Sequence, residues 1–175
     1  IFPPIAAALA LTLTAAFAAP RDGAVAAMLA LPEKYSNGIL KVYGDEGNPQ
    51  PALWNIIARD KDNLGTIRRL SVSGGQLIKD TASFNMGQMF RNDEYFYPQS
   101  IAVDSAQAFA IASKYAAANN TRLGSVNYSL VDQGPDVDPM WFLDCRNPAG
   151  KRIGKLSIIA TNGRVVSASG FARSP

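Results

Sequence analysis

The alternation of apolar and polar side chains predicts a chain built mainly of β-strands. Two segments, 52–59 and 140–146, alternate most regularly. The side chains that share one face of these segments are Trp54, Ile56, Ala58, Trp141, Leu143 and Cys145. Because successive side chains of a strand point to opposite faces, we expect this face to lie in the core. The same criteria predict strands at 39–43, 66–73, 77–78, 125–131, 152–161 and 165–166.

One segment has clear helical periodicity. In "DSAQAFAIASKYAAANN", at 104–120, apolar side chains recur at helical spacing and form a stripe. Asp104 or Ser105 can cap this helix, because either side chain can accept a hydrogen bond from the first turn. A weaker helical pattern covers 23–37, where Pro32 must bend or restart the helix. Short turns rich in Gly and Asn separate the later strands, which favours hairpins and an antiparallel sheet.

The order of these patterns occurs twice along the chain. "GDEGNPQPALW" at 44–54 matches "VDQGPDVDPMW" at 131–141, and "IRRLS" at 67–71 matches "IGKLS" at 153–157. We therefore predict an α+β fold of two tandem repeats, each with one helix packed on an antiparallel sheet of three to four strands. The first repeat would span 19–79 and the second 101–175, joined by an aromatic linker at 80–100.

These motifs resemble the PepSY domain, a family found in exported proteins and protease propeptides. "IIATNGRVVSA" at 158–168 matches its late turn-and-strand signature, and "SVSGGQLIKD" at 71–80 matches it more loosely. The tandem arrangement is similar to that of beta-lactamase inhibitor protein. What the resemblance implies is binding or inhibition. The family has no agreed catalytic residues, so it assigns none here.

The N-terminal segment is uncharged and apolar. The run "IAAALALTLTAAFAAP" at 5–20 ends in small residues, and Ala16-Phe17-Ala18 fits the rule for signal peptidase cleavage. We predict a signal peptide at 1–18, a periplasmic or secreted protein, and no stable membrane span after cleavage. The alternative is a retained membrane anchor, but the uncharged segment at 1–20 is near the minimum spanning length and contains Pro3 and Pro4.

Composition narrows the possible chemistry. The chain has no His, one Cys and a net charge of +3. The absence of His excludes Ser-His-Asp triads, Cys-His pairs and His-ligated zinc. Cys145 is interpreted as a small apolar core residue beside Trp141, because a reactive thiol needs a cationic and open setting. We therefore predict a protein that is not an enzyme, with no cofactor, no metal site and no nucleic-acid partner.

Acidic loops leave one catalytic alternative open. Five loop carboxylates could in principle serve a hydrolase of the cell envelope or bind a hard cation: Asp45, Glu46, Asp132, Asp136 and Asp138. Asp and Gly also simply form turns, which is the preferred interpretation. "DKDNLG" at 60–65 resembles the start of a calcium loop, but later ligand positions are missing, so a hairpin turn is predicted.

The face opposite the predicted core is the candidate binding surface. Its eight residues mix apolar and basic side chains in both halves: Leu53, Ile57, Arg59, Arg69, Met140, Phe142, Arg146 and Lys155. Such a surface suits a protein or peptide partner with acidic character. The competing expectation is that the aromatic residues 84–97 fold over this face. The predicted function is an exported, non-enzymatic binding or inhibitor-like protein. Besides the hydrolase, the alternative is a structural envelope component that self-associates through strand edges.

Overall fold

The computed structural model describes residues 22–63, 66–83, 95–134 and 136–171. Within these residues there are three α-helices: α1 (Ala24–Leu29), α2 (Glu33–Ser36) and α3 (Ser105–Ala118). A single 3-10 turn (Pro98–Ser100) precedes α3. The eight strands are β1 (Ile39–Gly47), β2 (Trp54–Arg59), β3 (Ile67–Ser73), β4 (Gln76–Ser83), β5 (Ser125–Val131), β6 (Met140–Arg146), β7 (Arg152–Ile159) and β8 (Val165–Ser169).

All eight strands belong to one antiparallel sheet, in the order β4-β3-β2-β1-β5-β6-β7-β8. Its two halves meet where β1 pairs with β5, for example Val42 with Leu130. The predicted fold class, α+β with two tandem repeats of one helix on a sheet of three to four strands, is therefore wrong. The strands of both halves form one sheet, because the edge of β1 and the edge of β5 satisfy each other's backbone groups. Only short helices accompany this sheet.

The strand positions and the core face are confirmed. β5 and β6 have the predicted bounds, and the other six strands overlap their predicted segments. All six side chains assigned to the core face, three on β2 and three on β6, are buried. Burial of every second side chain is what holds the register, because a one-residue slip would move the whole apolar set into water.

The helices begin where local chemistry favours them. Asp104 caps α3, and its side chain accepts a hydrogen bond from the Ser105 amide at 2.7 Å. Small residues on α3, namely Ala108, Ala112 and Ala116, are buried and let the helix approach the sheet closely. The N-terminal helical segment is broken as predicted: α1 ends at Leu29 and α2 restarts directly after Pro32.

One hydrophobic core lies between the helices and the sheet, and it extends over both halves. At its centre the rings of Trp54, Tyr128 and Trp141 contact one another, with centroids 5.6 to 6.4 Å apart. Each indole N–H is also satisfied. Trp54 donates to the Asp22 carbonyl at 2.8 Å, and Trp141 donates to the Val103 carbonyl at 2.7 Å. The two tryptophans therefore attach the chain just before α1 and just before α3 to the sheet.

The starts of α1 and α3 share one carboxylate. Asp104 Oδ1 accepts hydrogen bonds from the amides of Val25, at 3.2 Å, and Ser105, at 2.7 Å. The buried Ser105 hydroxyl completes the junction, because it accepts from the Ala24 amide at 3.2 Å and lies 2.6 Å from Gln50 Oε1. Gly23 leaves the necessary space, since a Cβ at this position would overlap Asp104 Oδ2.

A second, smaller cluster lies on the opposite side of the sheet, over β1 to β3. It consists of Leu40, Ile57 and Ile67, with Tyr43 packed partly against it. Among the described residues, none of the helices has both the length and the apolar composition that crossing a membrane requires. The predicted signal peptide at 1–18 lies outside the described residues.

Candidate binding surface

The face of β5 to β8 that points away from the helices forms an open concavity of about 360 Å³. Register places Ser129, Phe142, Ser157 and Ser167 in one row across the four strands. Phe142 is the large apolar side chain of this row, and 37% of its surface is exposed. Because its three neighbours in the row are small, the Phe142 ring stands above a trough that leads to the β8 edge. We call this concavity the Phe142 trough.

The wall of the Phe142 trough is mainly cationic. Asp144 lies at its centre, with Oδ1 2.8 Å from Arg152 Nε and Oδ2 4.0 Å from an Arg146 nitrogen. Lys155 is the cross-strand neighbour of Asp144 on β7. Three cations therefore surround one carboxylate. The side chains of Asp144 and Arg152 are partly exposed, at 29% and 48%, although the Asp144 Oδ1 atom itself is buried. A partner's carboxylate can therefore reach Arg152 from its exposed side.

Hydroxyl groups line the floor of the trough. Ser167 Oγ and Ser157 Oγ are hydrogen-bonded at 2.9 Å, and the amide side chain of Asn127 lies in the row next to theirs. These groups both donate and accept, and they are exposed or half-buried. They can therefore exchange a water partner for a bound polar group at little cost.

The predicted binding residues separate into two sets. Four of them lie together on β6 and β7: Met140, Phe142, Arg146 and Lys155. The others lie on or beside β2 and β3: Leu53, Ile57, Arg59 and Arg69. Two strands, β1 and β5, stand between β2 and β6, so the sets are about 14 Å apart. They do not form one compact site.

Ile57 does not belong to the exposed binding surface that was predicted from the sequence. It was expected to be an exposed apolar patch, but only 4% of it is exposed, because it packs with Leu40 and Ile67. Leu53 and Arg69 are exposed, whereas Arg59 is half-buried. Leu53 and Phe142 therefore both remain exposed, and of these two Phe142 is the one that lines the concavity on β5 to β8.

Several trough residues were not among the predicted binding residues. They are Asn127, Ser129, Asp144, Arg152, Ser157, Ser167 and Ser169. Alternation with the buried side chains of β5 and β7 would have placed Asn127, Ser129 and Ser157 on this face. The bulge near Val165 hides the positions of Ser167 and Ser169. The position of Arg152 was not accessible in this way, because the register between β6 and β7 shifts between Cys145 and Arg146.

Residues 80–83 and 95–100 of the aromatic linker are described by the structure. Of the aromatic residues 84–97 that were expected to fold over the open face, 84–94 lie outside the described residues. Phe96 is buried in the main core, and its amide donates to the Ile39 carbonyl at 2.9 Å. Tyr95 and Tyr97 are exposed and contact each other edge to face at 5.6 Å.

Cys145 is fully buried on the core side of β6. Burial, and secondarily the negative charge of Asp144, raises the pKa of its thiol to about 12. A thiol in this state stays protonated at neutral pH and is a poor nucleophile. The interpretation of Cys145 as a core residue is confirmed.

The loop carboxylates have turn roles where contacts are described. Asp132 Oδ1 accepts from the Gly134 amide at 3.0 Å, and Asp60 Oδ1 accepts from the Asp62 amide at 3.1 Å. The segment around Asp60 is a turn between β2 and β3, closed by a bond from the Asp60 amide to the Thr66 carbonyl at 3.0 Å; Leu64 and Gly65 lie outside the described residues. Asp45 and Glu46 are exposed but lie in β1, so their prediction as loop residues is wrong. Asp136 and Asp138 are exposed between β5 and β6. Across the described ranges, no three His, Cys, Asp or Glu residues are grouped as a metal site would need.

Comparison with known proteins gives little beyond this geometry. No protein-family model matches the chain, and none of the curated proteins matches it significantly. Among solved structures, the chain is similar to a "putative lipoprotein" from Clostridium difficile 630, with 16% identity over 77% of this chain and 82% of that chain. The TM-score of 0.42 is too low for this likeness to support any statement on function.

Proposed function

We propose that this chain is an exported, non-enzymatic binding protein that holds an acidic protein or peptide partner in the Phe142 trough. The observation on which this rests is an exposed aromatic ring beside a cationic wall. Phe142 stands open in a concavity of about 360 Å³ whose walls include Arg152 and Lys155. Aromatic and Arg side chains in one concave patch are the usual anchors of a protein interface.

The charge of the trough selects the partner's chemistry. Arg152 and Lys155 outnumber Asp144 in the lining of the trough, and Arg146, outside that lining, lies 4.0 Å from Asp144. An acidic segment would be attracted before contact and would then reach Arg152 from its exposed side. A basic segment would meet repulsion from the same cations. Affinity for the acidic partner should fall as salt concentration rises.

Binding rather than catalysis is supported by the available nucleophiles. The chain has no His, and its one thiol is buried and held protonated. Export is supported by the apolar run at 5–18, which ends in Ala16-Phe17-Ala18. N-terminal sequencing of the protein from culture medium or periplasm tests export, and a form that begins at Ala19 is expected.

Selection from a phage-displayed library of random linear dodecapeptides tests the partner class. The full chain is used as bait, and enriched sequences should be acidic and contain an apolar residue. The most enriched peptide is then synthesised with a fluorophore, and its affinity is measured by fluorescence anisotropy. The double variant Phe142→Ala with Lys155→Glu should weaken this affinity at least about tenfold, because it removes the ring and reverses one wall charge.

A matched control lies on the helix side of the molecule. Leu29→Ala with Lys114→Glu likewise removes one exposed apolar side chain, on α1, and reverses one exposed positive charge, on α3. This variant should bind the peptide like the wild type. The control variant should keep the wild-type thermal midpoint, since Leu29 and Lys114 are exposed. The test variant should lower it by a few degrees, because Phe142 is only 37% exposed and Lys155→Glu places a like charge opposite Asp144. Absence of enrichment, enrichment of basic sequences, or equal losses in the two variants would refute the proposed function.

A further inference from the structure

The two edges of the sheet differ in charge. β4 forms one edge and contains Lys79 and Asp80, whereas β8 forms the other and reads Val-Val-Ser-Ala-Ser. Charged side chains on an edge strand discourage the addition of another strand, and the absence of charge permits it. Within the described residues, no strand pairs with the outer side of β8. As far as the described residues show, this edge is open to strand addition.

The pairing of β8 with β7 is regular at one end of β8 and irregular at the other. The β7–β8 register shifts between Ser157 and Ile158, which marks a bulge near Val165. From Ser167 to Ser169 the pairing with β7 is regular: Ser157 with Ser167, Leu156 with Ala168, and Lys155 with Ser169. An added strand would therefore find a straight template along Ser167–Ser169.

Two concavities meet at this end of β8. The Phe142 trough reaches Ser167 and Ser169, and a second concavity of about 340 Å³ lies around Ile153, Gly154 and Gly170. Arg152, Lys155 and Ser169 line both of them. Because neighbouring side chains of a strand point to opposite faces, an extended segment added along β8 can place every second side chain on the face of the Phe142 trough.

Charge and side-chain size fit an acidic segment. A residue opposite Ser169 on an added strand would lie roughly 10 Å from Lys155, two strand spacings away. Ser169 is small and exposed, so it does not separate them. The Lys155 ammonium group and a carboxylate of the partner can meet above Ser169, with Arg152 on the same wall.

We propose that the partner adds an extended acidic segment as a ninth strand along Ser167–Ser169 of β8, with a carboxylate beside Lys155 and Arg152. This inference rests on the proposed function and specifies how the partner binds. Backbone hydrogen bonds to the β8 edge hold the segment, and the Phe142 trough selects its apolar side chain.

Residue-resolved amide hydrogen exchange by NMR, with the most enriched dodecapeptide as the probe, tests this mode. The edge-facing amides of 167–169 should exchange at least about tenfold more slowly in the complex, because the added strand protects them. The amides of β4, at 76–83, serve as the control edge in the same molecule and should not change. Protection of both edges, or of neither, would overturn the inference.

N-methylation of the peptide, one amide at a time, gives an independent readout. Strand addition uses every second amide, so affinity should fall about tenfold or more at alternate positions and change little between them. If the peptide binds and depends on Phe142, but shows neither alternation nor β8 protection, it lies on the face without pairing. The proposed function would then stand and the ninth-strand inference would fail.

Discussion

Removing the Asp104 carboxylate should destabilise the protein more than the loss of an ordinary helix cap. One oxygen of Asp104 serves the first turns of both α1 and α3, through the amides of Val25 and Ser105. An N-cap contributes about 0.5–2 kcal/mol, so the loss of two caps predicts about 2–3 kcal/mol for Asp104→Ala. For a chain of this length, that corresponds to a fall in Tm of roughly 5–10 °C.

Asp104→Asn is the matched variant, because an Asn side chain keeps an acceptor oxygen at the same place. It should cost clearly less than Asp104→Ala, at about 1 kcal/mol or below. Both values are obtained from urea denaturation followed by tryptophan fluorescence, with the free energy of unfolding extrapolated to water. Equal costs for the two variants would refute the shared cap.

Gly23 supplies a second check on the same junction. Gly23→Ala introduces a Cβ that overlaps Asp104 Oδ2, so it should destabilise the wild type by about 1–3 kcal/mol. In the Asp104→Ala background the overlapping atom is gone, and the same substitution should be nearly neutral. The backbone at Gly23 has φ −65°, which Ala adopts readily, so no other cost is expected. Additive effects in this double-mutant cycle would contradict the geometry.

Three further predictions concern buried and paired groups. Cys145 should resist a thiol reagent in the folded protein and react after denaturation, as followed by mass spectrometry; rapid labelling of the folded form would contradict its burial. The pKa of this thiol rises from 9.0 to about 12 on folding, so protonation favours the folded state and that stability is lost as pH rises from 9 to 12. Cys145→Ala should cost about 1 kcal/mol near pH 7, and its difference from the wild type should narrow over that range. Asp80→Ala should cost about 1 kcal/mol in urea denaturation, because Asp80 accepts from Tyr35 at 2.9 Å and Arg68 at 2.7 Å. Lys79→Ala beside it should be neutral, and equal effects would argue against the pair.

The strands were predictable because their signal is local. Alternation along β5 and β6 gave both bounds and the buried face, since each side chain's environment depends on its own position in the pleat. The start of α3 was predictable for the same reason, because Asp104 caps the residues that follow it. The second role of Asp104, at the amide of Val25, depends on tertiary packing and left no local pattern.

The continuous sheet was not predictable from alternation. Pairing between β1 and β5 joins residues far apart in the chain, and a strand's sequence does not reveal which edge it will meet. The burial of Ile57 has the same origin, because Leu40 and Ile67 reach it from neighbouring strands. For the candidate site, Met140, Phe142, Arg146 and Lys155 were placed together correctly on one face, whereas Arg152 follows a register shift that sequence alone does not show.

Photo-crosslinking from position 142 tests most directly whether the Phe142 trough is the binding surface. A benzophenone-bearing phenylalanine analogue replaces Phe142 in one variant and Leu29 on α1 in another; both side chains are exposed, at 37% and 58%. Each variant is irradiated with the fluorescent selected peptide, with and without excess unlabelled peptide. Crosslinking from position 142 that the unlabelled peptide suppresses, with none from position 29, is the predicted result. A peptide that binds with unchanged affinity but crosslinks from position 29, or not at all from position 142, would contradict the account.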